Sequence, residues 1–248
     1  YATGQRVSAP NAALANGGFV WVDFYAPDES DQLREEEGLI EKALGVDAPT
    51  PQERAAAEES ARFYEENGAL VLTATLMGQR GEGAFVSDAV SFILVKDILV
   101  TVRAITPRAF QIGQSRASAR IEQARHGGDV MLALIEGLTE RIADILHETS
   151  REANALSGQI FVSSDQVGQT ALRTIGRLGT LTALAHESLS SLQRLIAFTH
   201  TVCGRHNLEA HRLAAMEKDI QELERLAEAR QDHISFLLSG ALGLVNAA

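Results

Sequence analysis

Four side chains that can ligate a borderline-soft metal fall within twelve residues: His200, Cys203, His206 and His211. Imidazole and thiolate at such spacing suit Zn²⁺. The pattern around them places Cys203 at the end of one helix and His211 a turn inside the next. No second cysteine pair supports a tetrahedral site, so a helix-hairpin turn that carries histidines is the stronger reading. Carboxylates offer a different chemistry. Glu35-Glu36-Glu37, Glu53, Glu58-Glu59 and Glu65-Glu66 are runs or single acids of the kind a hard cation uses. Mg²⁺ takes few carboxylates and keeps several waters, so no dense cage is expected of it. Solvated helix faces are the default account of such runs.

A third pattern lies at the end of the chain. Residues 234–248 carry no charge. Within them Ser235, Ser239 and Asn246 share one helical stripe, with Leu242 between. Polar residues of a membrane helix face a partner helix or a water-filled path. Lining a pore with Ser239, Leu242 and Asn246 is one reading, and hydrogen bonding between helices is the other.

Catalytic signatures are absent from the sequence. It has no G-x-x-x-x-G-K-[ST], no G-x-G-x-x-G after a strand, no H-E-x-x-H and no G-x-S-x-G. Gly78 to Gly83 is glycine-rich, but strand patterns flank it on both sides and a hairpin loop is expected. No nucleophile–base set can be assembled, which argues against an enzyme. The 33 acids against 22 bases give a net charge of −11, which argues against a nucleic-acid surface. A single cysteine, Cys203, forms no intrachain disulfide and fits a reducing compartment.

The elements that must position these residues can be read in order. Residues 1–17 show no periodicity and are expected as a flexible arm. Gly18 to Tyr25 alternates as a strand. A helix capped by Asp28 or Ser30 runs through Ala43 and is closed by Gly45. Thr50-Pro51-Gln52-Glu53 is a helix start, with Thr as cap, Pro first and Glu third, and a short helix over 51–59 follows. Ala61 to Glu65 reads as a strand, Asn67-Gly68 as a turn, and Ala69 to Met77 as a second strand. Phe85 to Val95 and Ile98 to Ala104 form a hairpin turning at Lys96-Asp97. Pro107 is expected to open a helix through about Ala124, which Gly127-Gly128 breaks. From Asp129 onward the apolar period changes from 2 to 3.5. One long helix runs to Ile160, a break spans Ser163 to Gly168, a second helix runs through Thr199, and Gly204 and Asn207 precede a third. The fold class is α+β or α/β. A mixed β-sheet with flanking helices (18–126) is followed by a long helical hairpin (127–204) and a long C-terminal stalk helix (205–248). From Asn207 that helix is roughly 60 Å long at 1.5 Å per residue. A bilayer span takes about 20 apolar residues, so the closing apolar run is expected to be the start of a first membrane segment.

Several stretches resemble the CorA family of bacterial Mg²⁺ transporters. Trp21-Val22-Asp23 resembles its opening W-[IV]-D strand. Leu44-Gly45-Val46 followed by Thr50-Pro51 is similar to its next landmark. Glu59-Ser60-Ala61-Arg62-Phe63-Tyr64-Glu65 looks like its E-x-S-[AS]-R-[FY]-[FY]-E motif. Val90 to Leu94 with Leu99 to Arg103 resembles the hairpin behind it, and Phe236 to Asn246 the start of its first transmembrane helix. The resemblance implies a homopentameric channel of the bacterial inner (plasma) membrane, with this part of the chain cytoplasmic and joined to the membrane by its last helix. It implies Mg²⁺ as the ion, with Co²⁺ or Zn²⁺ as other divalent candidates. It also implies regulation by intracellular Mg²⁺ between subunits, held by an acid after the L-G-[IV]–P landmark and one on the neighbour's stalk. The matching stretches are Gln52-Glu53 and Ala215 to Asp219, and the candidate metal residues are Glu53 and Asp219. The family's Gly-Met-Asn motif does not occur in this sequence. Two other readings stand beside this one. One is a Zn²⁺ transporter of the related ZntB branch, which the His/Cys cluster mildly favours. The other is a coiled-coil scaffold with an α/β interaction module, for which residues 234–248 are expected to end in a soluble cap.

Overall fold

The computed structural model describes residues 21–25, 38, 41–42, 44–54, 59–81, 83–111, 118–161 and 169–247. The expected arm, the start of the first helix, Glu35-Glu36-Glu37, Glu58 and the break at Ser163 to Gly168 lie outside these residues. The described chain forms a five-stranded mixed sheet followed by three long helices. The sheet order is β1 (Trp21–Tyr25), β5 (Ile98–Arg103), β4 (Phe85–Val95), β3 (Ala69–Gln79) and β2 (Phe63–Glu66). β1 runs parallel to β5, and the other neighbours are antiparallel.

Local chemistry fixes the tight turns. Asn67 and Gly68 take φ of 50° and 82°, the left-handed pair that joins two strands in a two-residue hairpin. The β4–β5 turn places Lys96 at φ 53° without a glycine. The strand expected from Ala61 begins at Phe63. Ala61 and Arg62 instead end a helical turn, α2 (Glu59–Arg62), after the first short helix α1 (Pro51–Arg54).

Both faces of the sheet are covered, which explains the continuous apolar runs in β3 and β4. Leu70, Leu72, Leu76, Phe92 and Leu94 face the long helices. Phe24, Val71, Ile93, Val100 and Val102 form a second core with Leu44, Val46 and Ala48. Trp21 and Asp23 anchor the edge strand. The Trp21 indole donates to Thr101 Oγ1 at 3.0 Å, and Thr101 donates to Asp23 Oδ1 at 2.8 Å. Arg103 pairs with Asp23 at 2.8 Å, donates to the Ile105 carbonyl at 2.7 Å and stacks on Tyr25 and Phe110.

Pro107 opens one 3₁₀ turn, Arg108–Phe110, rather than the expected helix through Ala124, whose described part is α3 (Ser118–Gln123). The backbone N–H of Phe110 returns to the Pro107 carbonyl, which closes that turn. Gly127 and Gly128 do not separate two helices. They begin α4 (Gly127–Phe161), where it abuts the β4–β5 hairpin. Gly127 N donates to Asp97 O at 2.7 Å, and a Cβ there would lie 2.3 Å from Leu99 N.

α4 and α5 (Gln169–Val202) form an antiparallel pair, and α6 (Ala210–Ala247) lies along both. A 3₁₀ turn at Cys203–Arg205 and Asn207 at φ 53° make the corner before α6. Far from the sheet, Leu156 and Ile160 of α4, Ile175 and Leu178 of α5, and Ile234, Leu237 and Ala241 of α6 form a third core.

Candidate functional site

Glu53 sits in a capping box at the start of α1. Its backbone N–H donates to Thr50 Oγ1 at 3.3 Å, while its Oε2 accepts from Thr50 N at 2.7 Å and Thr50 Oγ1 at 2.9 Å. The Thr50 backbone N–H is the main cause holding the Glu53 carboxyl below its ordinary range, and the Thr50 hydroxyl adds to it. The side chain is therefore an exposed carboxylate with Oε1 turned to no described hydrogen-bond donor. Two further acids share its surroundings. After burial, the charges of Glu53, Glu66 and Asp47 each push the Tyr64 hydroxyl up. Three acids thus stand near Tyr64, of which Glu53 and Glu66 are expected from sequence as solvated acids.

Asp219 lies on α6 beside buried Ile220 and is itself exposed. It makes no ion pair or hydrogen bond among the described residues. Within one chain, no group of three or more His, Cys, Asp or Glu among the described residues is placed to hold a metal. Glu53 on α1 and Asp219 on the long helix are each an exposed acid with no metal-holding group of three around it among the described residues.

The histidines are accounted for individually. His206 Nε2 lies 2.7 Å from Glu65 Oε1, and Arg205 closes on the same carboxylate at 2.6 Å. The His206 hydrogen bond is the largest influence lowering the Glu65 pKa. His200 faces Glu217 at 3.8 Å and His211 faces Glu209 at 3.7 Å. His206 thus ties the corner before α6 to β2, and the group is a helix turn that carries histidines.

At its far end α6 divides its apolar residues between two sides. Ile234, Leu237 and Ala241 are buried on the helical pair. Phe236 is 62% exposed, and Leu238, Leu242, Leu244 and Val245 are 41–45% exposed. Single exposed apolar residues are ordinary, but five in ten positions is a dense run of them for one helix. Phe161 leans over this segment, its ring 5.5 Å from that of Phe236 and against the Cα of Gly240. Ser235 and Ser239 turn their hydroxyls back onto the carbonyls of Gln231 and Ser235 at 2.9 and 3.0 Å. Ser239 and Leu242 are exposed, and Asn246 lies within the same helix. No helix among the described residues is long and apolar enough to cross a membrane.

The family model for CorA-like Mg²⁺ transporter protein matches residues 16–247. A magnesium transport protein CorA from Wolinella succinogenes is 27% identical over 182 residues, 71% of this chain and 54% of that protein. The matched stretch thus spans about half of that relative's length. Escherichia coli K12 CorA is 24% identical over 92% of this chain and 71% of its own. Among solved structures, the soluble domain of CorA from Methanocaldococcus jannaschii has a TM-score of 0.70 at 14% identity, covering 90% of this chain and 88% of that one. The ZntB cytoplasmic domain from Vibrio parahaemolyticus has a TM-score of 0.59 at 14% identity, covering 92% and 88%. The structural likenesses share the fold: the mixed sheet with its long helices. The family match over nearly the whole chain shows that this protein belongs to the CorA-like Mg²⁺ transporter family.

Proposed function

We propose that this chain is the cytoplasmic regulatory part of a divalent-cation channel of the bacterial plasma membrane. Mg²⁺ is its cargo, and Mg²⁺ bound between copies in a homopentamer holds it closed. The family match across residues 16–247 carries this reading. α6 supports it: one unbroken helix of 38 residues joins the exposed acid Asp219 to an outward-facing apolar end. The helix continues into the membrane, with Ser239, Leu242 and Asn246 toward the pore.

Glu53 of one copy and Asp219 of its neighbour would hold the regulatory ion, whose bound charge would neutralise both carboxylates and cross-link the copies. Asp47 and Glu66 deepen the negative potential that attracts a cation to this corner. Without that neutralisation, acidic faces repel and the long helices settle into a second packing, a shift between two states that a ligand biases by its differential affinity. The His/Cys cluster gives the Zn²⁺ alternative little support, since His200, His206 and His211 face carboxylates of their own chain.

Expression of the encoded gene in a bacterium deprived of its Mg²⁺ uptake systems tests the cargo. Restored growth at low Mg²⁺ is expected, and the Glu53→Gln variant should become hypersensitive to external Co²⁺ because closure is weakened. Rescue of Zn²⁺ limitation without rescue of Mg²⁺ limitation would contradict the assignment.

A further inference from the structure

A cavity among the described residues is separate from both the acidic corner and the end of α6. It has a volume of about 340 Å³ and lies between the ends of β3 and β4, the loop after β5, and one face of α4. Small-molecule sites start at about 300 Å³. Leu138 and Ile142 of α4 and Phe85 of β4 give it apolar walls, and Arg108 and Arg141 both line it. The charge is the unexpected feature. The chain carries a net charge of −11, yet no aspartate or glutamate among the described residues lines this cavity. Arg141 forms an ion pair with Glu148 at 3.6 Å, but Glu148 is half exposed and stands outside the cavity lining, so solvent screens the pair. Arg108 makes no ion pair among the described residues.

The walls are preformed. Gln79 and Thr106 exchange backbone hydrogen bonds at 2.8 and 3.5 Å, which pins the loop to the strand. Gly78 lets that loop approach closely, since a Cβ there would lie 3.0 Å from both Ile105 Cδ1 and Pro107 N. Arg103 reinforces the loop through the Ile105 carbonyl. A guanidinium offers a planar fork of donors that matches phosphate oxygens two at a time. Two such groups above an apolar floor select a ligand with an anionic head and an apolar body.

We propose that this cavity binds a small soluble organic phosphate, its phosphoryl head on Arg108 and Arg141 and its apolar body against Leu138, Ile142 and Phe85. The site is independent of the regulatory Mg²⁺ reading and would make the domain responsive to a second class of solute.

Isothermal titration of the 248-residue chain with phenyl phosphate tests it, with inorganic phosphate and benzyl alcohol as the separated head and body. Phenyl phosphate should bind at least about tenfold more tightly than either. Loss of one charge-assisted hydrogen-bonding partner in Arg108→Gln or Arg141→Gln should weaken it about tenfold or more. Arg225→Gln, an exposed change on α6, should leave it unaltered. Thermal melts of each variant establish that it is folded. If Arg141→Gln lowers the midpoint, Arg108→Gln, on an exposed side chain, carries the test. Phenyl phosphate binding no tighter than inorganic phosphate would overturn the proposal, as would binding that survives both arginine substitutions.

Discussion

The hydroxyl of Ser188, in the middle of α5, accepts the backbone N–H of Met77 in β3 at 2.8 Å. Ser191 does the same for Thr75, also at 2.8 Å. β2 pairs only with residues 69–72 of β3, so the outer edge of β3 beyond that point lacks a strand partner among the described residues. A long helix therefore closes a sheet edge with side chains. Bare edges template unwanted pairing, and buried amides without acceptors are costly.

Ser188→Ala should cost about 1–3 kcal/mol, the penalty for leaving a buried donor unsatisfied. For a chain of this size, that lowers the melting midpoint by roughly 2–4 °C per kcal/mol. Ser190→Ala is the comparison, since its hydroxyl donates to Glu224 in a partly buried position and not to the sheet. Equal midpoints for Ser188→Ala and the wild type would show that the edge is closed some other way.

Two glycines make opposite predictions despite similar crowding. A Cβ on Gly127 would meet backbone, 2.3 Å from Leu99 N and 2.6 Å from Ile98 C. Neither atom can move without opening the β4–β5 hairpin, so Gly127→Ala should destabilise by about 3 kcal/mol or more, in the overpacking range. A Cβ on Gly240 would meet the tip of Phe161, at 2.4 Å from Cζ. That ring is 44% exposed and can swing away. Alanine also favours a helix interior over glycine by about 1 kcal/mol. Gly240→Ala should therefore be near neutral in thermal melts, while a distance probe on Phe161 and Phe236 reports their separation.

The Glu65 clasp on His206 and Arg205 gives a pH dependence with a defined sign. The Glu65 pKa is lowered in the folded chain, first by the His206 hydrogen bond and then by the Arg205 charge. Its stabilising contribution is thus complete above the unfolded value of about 4.3, and it is lost as pH falls through the lower folded value. The Glu65→Gln variant should melt below wild type at pH 6, and the gap should close toward pH 3. High salt should narrow the gap in part, because the Arg205 arm of the clasp is solvent-exposed while His206 is buried. A gap that persists unchanged at pH 3 would mean that Glu65 acts through packing instead.

Much of this architecture was legible because it is local. The Thr50–Glu53 box, the Asn67-Gly68 turn and the β4–β5 hairpin are each set by residues within four positions of one another. The α4, α5 and α6 periods are equally local. What escaped sequence reading depends on partners far along the chain. Ser188 and Ser191 look like ordinary small residues of a helix face until β3, more than a hundred positions away, is placed against them. Gly127 reads as a helix breaker because the crowding comes from Leu99. Pro107 does open a turn, but the chain leaves the helix after Phe110. Half of the candidate site was readable in the same sense. Glu53 stands in a local motif and cap, whereas the proposed pairing with Asp219 of a second copy involves no contact within one chain, and no periodicity within one chain can fix it.

The most direct test of the account follows the assembly and melting of this chain during titration with Mg²⁺. Ligand at about a hundred times its dissociation constant stabilises a folded form by about 2.7 kcal/mol. The prediction is that millimolar Mg²⁺ shifts sedimentation toward a larger oligomer and raises the melting midpoint by several degrees. Glu53→Gln, which can keep the Thr50 cap while removing the charge, should abolish both responses, and Asp219→Asn should do the same. Unchanged sedimentation and melting up to about 10 mM Mg²⁺, or responses that survive both substitutions, would contradict the account of Mg²⁺ bound between copies.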